Sequence, residues 1–247
     1  MNLIIDEGNT RIKLAVFDET LLVDLVVTSI DGCEETIQKV ITKYDIKSLI
    51  VSSVTDEINH IVSGLKLLNK VVLSNETPLP FKNLYDTPKT LGVDRLALVT
   101  AAWSQYPNQN SLVIDAGTCV TYDFINKQGE YLGGAISPGL KMRFKSMHSF
   151  TKKLPDLDIP LSRVDIIGKS TKQSMESGVL NGMVFEIDGA IAHYQQKFKD
   201  VNIILTGGDA NSLCKQLKNS IFVNPNFLLE GLNAVLTYQS KNEAKLK

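Results

Sequence analysis

Two short turns in the chain carry the residue types that phosphate chemistry needs. The first runs Asp6-Glu7-Gly8-Asn9-Thr10-Arg11-Ile12-Lys13 and the second Asp115-Ala116-Gly117-Thr118. Each joins a carboxylate, a glycine and a hydroxyl. The carboxylate can hold a cation, the threonine can donate to a phosphoryl oxygen, and glycine lets backbone N–H groups approach an anion closely. Lys13 adds a positive charge to offset phosphate. A later turn, Thr206-Gly207-Gly208-Asp209, follows an apolar run and precedes a helical pattern, and Gly133-Gly134 and Pro138-Gly139 bracket another sharp turn. A single Asp-x-Gly turn ordinarily does no more than close a β-hairpin. The same turn in two copies, 109 residues apart, followed by a strand-Gly-Gly turn, points to phosphate binding.

Gly92-Val93-Asp94-Arg95 lies where a proline-rich loop meets an apolar helical pattern. A carboxylate in the first turn of a helix is favoured by the helix dipole, so Asp94 reads as a simple cap. The functional alternative is a general base, with Arg95 as a planar fork for an anionic substrate. Gly168-Lys169-Ser170-Thr171 has the ending of a P-loop, but position 163 is Arg163 where that motif needs glycine. Ser170 or Thr171 is instead expected to cap a helix. His60, His148 and His193 lack ligand spacing, Trp103 reads as core, and Lys141, Arg143, Lys145, Lys152 and Lys153 read as a solvated face.

The elements that must carry these turns follow from periodicity. Leu3–Ile5, Ile12–Phe17 and Leu21–Val27 read as a β-meander, followed by a helix over Cys33–Tyr44 and a buried strand over Ser48–Val54. Ile58–Leu68 reads as helix, Val71–Leu73 as strand, and Thr77–Leu91, with Pro78, Pro80 and Pro88, as loop. A helix over Val93–Tyr106 ends before Pro107. The pattern then recurs, with strands over 111–114, 120–125 and 131–136. Lys141–Lys169 has no clear period; Gln173–Lys197 reads as a long helix, Asn202–Leu205 as strand, Ala210–Leu217 as helix, Ile221–Val223 as strand and Leu228–Tyr238 as helix. Strands alternating with helices give an α/β class. The repeat implies two similar halves, 1–110 and 111–247, with a cleft between them and the hinge at 107–110.

Composition narrows the function classes. The chain has 247 residues, 43% of them hydrophobic and 21% charged, as in ordinary folded domains. Its net charge of -1 argues against a nucleic-acid protein built on a broad basic surface. Three separated cysteines, with no Cys-x-x-Cys pair, indicate neither a disulfide framework nor a cysteine zinc site, and suit a reducing cytoplasm. No targeting segment and no stretch approaching the ~20 apolar residues of a membrane helix is visible, so no membrane partner is expected.

Together the motifs resemble those of type III pantothenate kinases, members of the superfamily of acetate kinases, sugar kinases, Hsp70 and actin. The residues that carry the resemblance are Asp6 to Lys13, Gly92-Val93-Asp94-Arg95, Asp115-Ala116-Gly117-Thr118, Gly133-Gly134-Ala135-Ile136-Ser137-Pro138-Gly139 and Thr206-Gly207-Gly208-Asp209. The resemblance implies two ribonuclease H-like domains of the actin-like ATPase type and phosphorylation of pantothenate by ATP, the first step of coenzyme A synthesis. It implies that Asp6, Glu7, Gly8, Asn9, Thr10, Arg11, Ile12 and Lys13 hold ATP phosphates, with Thr118 contacting ATP from the opposite domain. It makes Asp94 the catalytic base and assigns Gly92, Val93, Asp94, Arg95, Tyr85 and Thr171 to pantothenate. Asp115 would bind potassium or ammonium, magnesium would arrive with ATP, and the enzyme would be a cytoplasmic homodimer. Glu7 departs from the family, which usually has an apolar residue there. A carboxylate beside triphosphate would repel it unless magnesium intervenes or the side chain points away.

Overall fold

The computed structural model describes residues 1–8, 11–53, 56–65, 67, 69–160 and 163–245. In chain order the first elements are β1 (Asn2–Glu7), β2 (Ile12–Asp18), β3 (Leu21–Thr28), α1 (Cys33–Lys43), β4 (Ser48–Ser52), α2 (Asp56–Ser63), β5 (Asn69–Val72), β6 (Lys82–Asn83) and α3 (Val93–Gln105). There follow β7 (Asn110–Ala116), β8 (Cys119–Ile125), β9 (Glu130–Pro138), α4 (Leu140–Phe150), α5 (Thr171–Lys197), β10 (Val201–Thr206), α6 (Ala210–Leu213), β11 (Phe222–Val223) and α7 (Phe227–Lys245). The chain forms two compact units, each a mixed sheet with helices. One comprises Met1–Pro107, Gly129–Tyr131 and Phe227–Lys247, the other Asn108–Gln128 and Leu132–Asn226. The α7 residues, which the sequence groups with the second half, thus pack in the first unit.

The first sheet has the order β3-β2-β1-β4-β5. β1, β2 and β3 form the antiparallel meander, while β4 runs parallel to β1 and β5 parallel to β4. Alternation along β1 feeds two cores. Leu3 and Ile5 join Leu14, Val16, Leu49 and Val51 in packing on Ile37 and Val40 of α1 and on Ile58 and Val62 of α2. Ile4 joins Ala15, Phe17 and Ile50 on the other face, packing on Ala97 of α3 and on Leu229, Leu232, Val235 and Leu236 of α7. Each such buried aliphatic side chain stabilises by roughly 1.5–3 kcal/mol relative to exposure. α7 is tied in further by Asn2, whose Nδ2 donates to Asn233 Oδ1 at 2.8 Å.

The second unit repeats that topology. Its strands lie in the order β11-β10-β7-β8-β9, with β8 antiparallel to β7, β10 parallel to β7, and β11 parallel to β10. The outer strand β9 begins with Glu130 and Tyr131, which group with the first unit and pair in parallel with Lys82 and Asn83 of β6. The 27-residue α5 buries Met175, Val179, Met183, Ile187 and Ile191 against Leu112, Ile114, Phe124 and Ile203. Its N-cap is Ser170, whose Oγ accepts from Gln173 N at 3.2 Å, so the Gly168–Thr171 stretch is a helix start. α4 lies in the segment that showed no period. Only Leu140 and Phe144 of that helix are buried, so its apolar signal is sparse. Among the described residues no helix is long and apolar enough to cross a membrane.

α3 and α7 approach so closely that a Cβ on Gly231 would stand 2.1 Å from the Ala97 carbonyl oxygen. Gly231→Ala is therefore expected to lower stability by about 1–3 kcal/mol, the usual cost of overpacking a core. Thermal or urea denaturation of the purified variant checks this; a midpoint equal to wild type would show that the helices part without cost.

Candidate functional site

In the first unit the site begins at the end of β1. Neighbouring residues on a strand face opposite sides of the sheet, and this separates the two carboxylates. Asp6 faces the α3 side, where the charge of Asp94 reaches it. It is 8% exposed and lies in register with Lys13 of β2 and Ser52 of β4. Burial pushes its carboxyl up from 3.8 to about 6; Lys13 opposes the shift and Asp94 adds to it. Glu7 faces the other way. It is 5% exposed and accepts a short hydrogen bond from Ser53 Oγ at the end of β4. Its charge also reaches Cys33, whose thiol is pushed up to about 11, chiefly by burial.

The turn itself is closed by Gly8 N donating to the Arg11 carbonyl at 3.1 Å. Asn9 and Thr10, expected to bind ATP, lie outside the described residues. Arg11 is exposed, whereas Ile12 is 2% exposed and belongs to the core. Ile12 can therefore offer a ligand only its backbone.

The Gly92–Arg95 stretch starts α3, with Gly92 at the N-cap. Asp94 is exposed, and its Oδ1 accepts from Arg95 N at 2.8 Å. A Cβ on Gly92 would lie 2.4 Å from that Oδ1, so glycine leaves the room the carboxylate occupies. Arg95 is 4% exposed, with its guanidinium carbon 5.5 Å from the Tyr85 ring centroid. Tyr85 in turn stacks on Tyr131, with centroids 6.1 Å apart and planes 14° from parallel, and Phe81 meets Tyr131 edge-on. The sequence reading did not single out Tyr131 or Phe81. Tyr131 is fully buried and is brought there by the pairing of β9 with β6, a strand too short to leave a periodic signal. Val93 is half-buried against the α3–α7 core.

In the second unit the corresponding carboxylate is Asp115, near the end of β7. Its cross-strand neighbours are Thr121 on β8 and Thr206 on β10. This places two hydroxyls beside one carboxylate on the same face of the sheet. Thr121 Oγ1 is buried without a hydrogen-bond partner among the described residues, and Thr206 is 2% exposed. Neither threonine was assigned to Asp115 from sequence; strand register is the signal that joins them. Gly207 has φ of +94°, and a Cβ there would meet Asp115 Oδ1 at 2.3 Å. Asp209 N donates to the Ala116 carbonyl at 2.9 Å, which fastens the late Gly-Gly turn to the Asp115 turn. Burial raises the carboxyl of Asp209 above its ordinary value.

Thr118 is exposed at the tip of the turn. Beneath it Gly139 N donates to the Thr118 carbonyl at 3.1 Å. Thr171, the remaining expected substrate contact, is the first residue of α5 in the second unit. Arg143 departs from the solvated face expected for its basic run: it pairs with Glu186 and keeps only 20% side-chain exposure. No group of three or more His, Cys, Asp or Glu side chains suited to a metal converges among the described residues. Any cation at Asp115 must therefore rely on neutral oxygens as well.

Comparison with known proteins places this geometry. The type III pantothenate kinase family model matches residues 2–193. A type III pantothenate kinase of Flavobacterium johnsoniae is 49% identical over 247 residues, covering 98% of this chain and 100% of its own. Among solved structures, a "conserved putative Baf family transcriptional activator" from Campylobacter jejuni superposes with a TM-score of 0.64 at 20% identity, covering 97% of this chain and 99% of its own. The activator of 2-hydroxyisocaproyl-CoA dehydratase from Clostridium difficile superposes with a TM-score of 0.56 at 14% identity, covering 100% of this chain and 97% of its own. At such identities the two structures show a shared fold alone. With the family model spanning most of the chain and the signature turns at the strand ends, the chain belongs to the type III pantothenate kinase family.

Proposed function

We propose that Asp94 is the base in the ATP-dependent phosphorylation of pantothenate that this family member catalyses. One observation carries the assignment: Asp94 stands at the start of α3, where its charge reaches the buried Asp6 of the phosphate turn and its neighbour Arg95 lies over Tyr85. The substrate's primary hydroxyl gives its proton to Asp94 as the γ-phosphoryl transfers, yielding 4′-phosphopantothenate. The hydrogen bond from Arg95 N fixes the carboxylate for that task. Arg95 offers its planar fork to the carboxylate of pantothenate, with Gly92, Val93, Tyr85 and Thr171 as further contacts.

Phosphoryl transfer is mostly positioning and charge stabilisation. The backbone of the Asp6–Lys13 turn and the Lys13 ammonium hold the phosphates in this reading, and in the second unit Thr118 contacts ATP. Magnesium bound with ATP neutralises phosphate charge. Glu7 serves the turn through its backbone, since Ser53 engages its carboxylate on the opposite face of the sheet. Asp115, Thr121 and Thr206 fit a potassium or ammonium ion. The set is all oxygen, one charge among neutral hydroxyls, and Thr121 Oγ1 is buried with no hydrogen-bond partner among the described residues. A homodimer and a cytoplasmic location complete the reading. A second copy suits α5, where Phe185 is 57% exposed and a Cβ on Gly178, Gly182 or Gly189 would meet nothing within 4 Å.

The deciding assay is ADP release from magnesium-ATP with and without pantothenate, in potassium and then in sodium. Release that needs both pantothenate and potassium or ammonium is expected; pantothenate-independent release would overturn the reading. Asp94→Asn should keep ATP binding while turnover falls by about 10²–10⁴-fold, the range of general-base catalysis. Near-normal turnover would remove the base from Asp94. Thr121→Val should raise the potassium concentration for half-maximal rate, and an unchanged value would exclude its hydroxyl as a ligand.

Asp6 gives a further expectation, in stability. Its carboxyl at about 6, against 3.8 ordinarily, means that folding takes up a proton between those values. Its contribution to stability therefore falls as pH rises through that window. Asp6→Asn should be more stable than wild type above pH 6, by on the order of 2–3 kcal/mol, with the gain fading below pH 4. Urea titrations across pH check this, and a pH-independent difference would show that Asp6 does not titrate as described.

A further inference from the structure

In the second unit Arg143, Glu186 and Tyr122, none of them in a signature motif, form a polar cluster that reaches into the Gly133–Gly139 stretch. Arg143 of α4 donates through Nε to the Pro138 carbonyl at 2.8 Å and through Nη2 to Ser137 Oγ at 3.0 Å. The same Nη2 makes a short ion pair with Glu186 Oε2 on α5. The other oxygen of that carboxylate, Oε1, accepts from the Tyr122 hydroxyl of β8 at 2.9 Å. Burial works against the charge of Glu186, yet the donors around it, Arg143 first, hold its carboxyl below the ordinary value. Tyr122 is 3% exposed, and its phenol is pushed up by burial and then by Glu186.

This is more than a staple between two helices. A staple needs only the two side chains, whereas Arg143 spends Nε on a main-chain carbonyl. A planar guanidinium can grip a carboxylate and a carbonyl at once, which a lysine ammonium does poorly. What it grips is the 137–139 bend, and that bend lies directly on the second phosphate turn. Gly139 N bonds the Thr118 carbonyl, and a Cβ on Gly139 would stand 2.1 Å from Gly117 O and 2.5 Å from Thr118 O. The backbones touch, so a shift of the bend is a shift of the turn. Tyr122 holds the far side of the cluster from β8, the strand that leaves the turn.

We propose that Arg143, Glu186 and Tyr122 form a clamp that positions the Asp115–Thr118 turn for ATP through the Ser137–Gly139 bend. The proposal rests on reading that turn as an ATP contact. All three are positioning residues, acting on the nucleotide only through the backbone they hold.

The test is steady-state kinetics on the full-length enzyme, with ATP and pantothenate varied separately in saturating potassium, well below each variant's Tm. Arg143→Met should raise KM for ATP about tenfold and leave KM for pantothenate within about twofold, because a misplaced turn weakens one substrate alone. Glu186→Gln keeps an acceptor for Tyr122 but loses the charge that aims Arg143, and should raise KM for ATP about threefold. Arg143→Lys restores the charge without the fork and should stay nearer the methionine variant than wild type. A purely structural role would lower the amount of active enzyme and leave both KM values alone. Unchanged KM for ATP in Arg143→Met, or equal rises in both KM values, overturns the clamp. Should Arg143→Met fail to fold, Glu186→Gln and Ser137→Ala decide by the same criterion. Thr118→Val separates the two failures. An unchanged KM for ATP there removes the ATP reading of the turn, whereas a raised value beside a normal Arg143→Met removes the clamp alone.

Discussion

A carboxylate buried at the end of a central strand is costly, and the first unit is arranged around that cost. Asp6 sits at the edge of an apolar core, with Lys13 beside it in register and Asp94 near enough to make matters worse. Water is a poor competitor there, so charges act on one another strongly. The period of the strand makes this workable. Had Glu7 shared the face of Asp6, two buried carboxylates would repel each other there. Because successive side chains alternate, Glu7 goes to the opposite core and is engaged by Ser53.

The second unit repeats the strand order and changes the chemistry. Across three strands the first sheet presents Lys13, Asp6 and Ser52; the second presents Thr121, Asp115 and Thr206 at the matching places. A lysine beside the carboxylate suits an anion and leaves little demand for a small cation. In the second row two hydroxyls take the places of the lysine and the serine. The same strand order thereby carries different chemistry in its two copies, and the difference lies in the residue types across the row.

The parts legible in the sequence were those with local causes. Asp-x-Gly turns, the apolar runs before them and the helix starting at Val93 announce themselves within a dozen residues, because strand period, glycine and helix capping are local physics. The Ser170 cap was legible for the same reason. Tertiary causes were not. α4 has too few buried residues to show a period, and Arg143 looked like one of several surface cations until its partners on β9 and α5 came into place. Tyr131 reaches the Tyr85 ring through a two-residue strand. The row of Thr121, Asp115 and Thr206 depends on register across residues far apart in the chain, which no short window contains.

The placement of α7 bears on how the chain is made. The first unit is closed by a segment that follows the second in the chain, whereas the second is nearly continuous from Asn108 to Asn226. Until Leu229, Leu232, Val235 and Leu236 emerge, the sheet face carrying Ile4, Phe17 and Ile50 lacks most of its cover. Domains fold largely as units during synthesis, and uncovered apolar surface invites aggregation. The first unit thus waits for a helix that follows the whole second unit in the chain. A nascent chain arrested before residue 227 would present that face to whatever chaperone attends it.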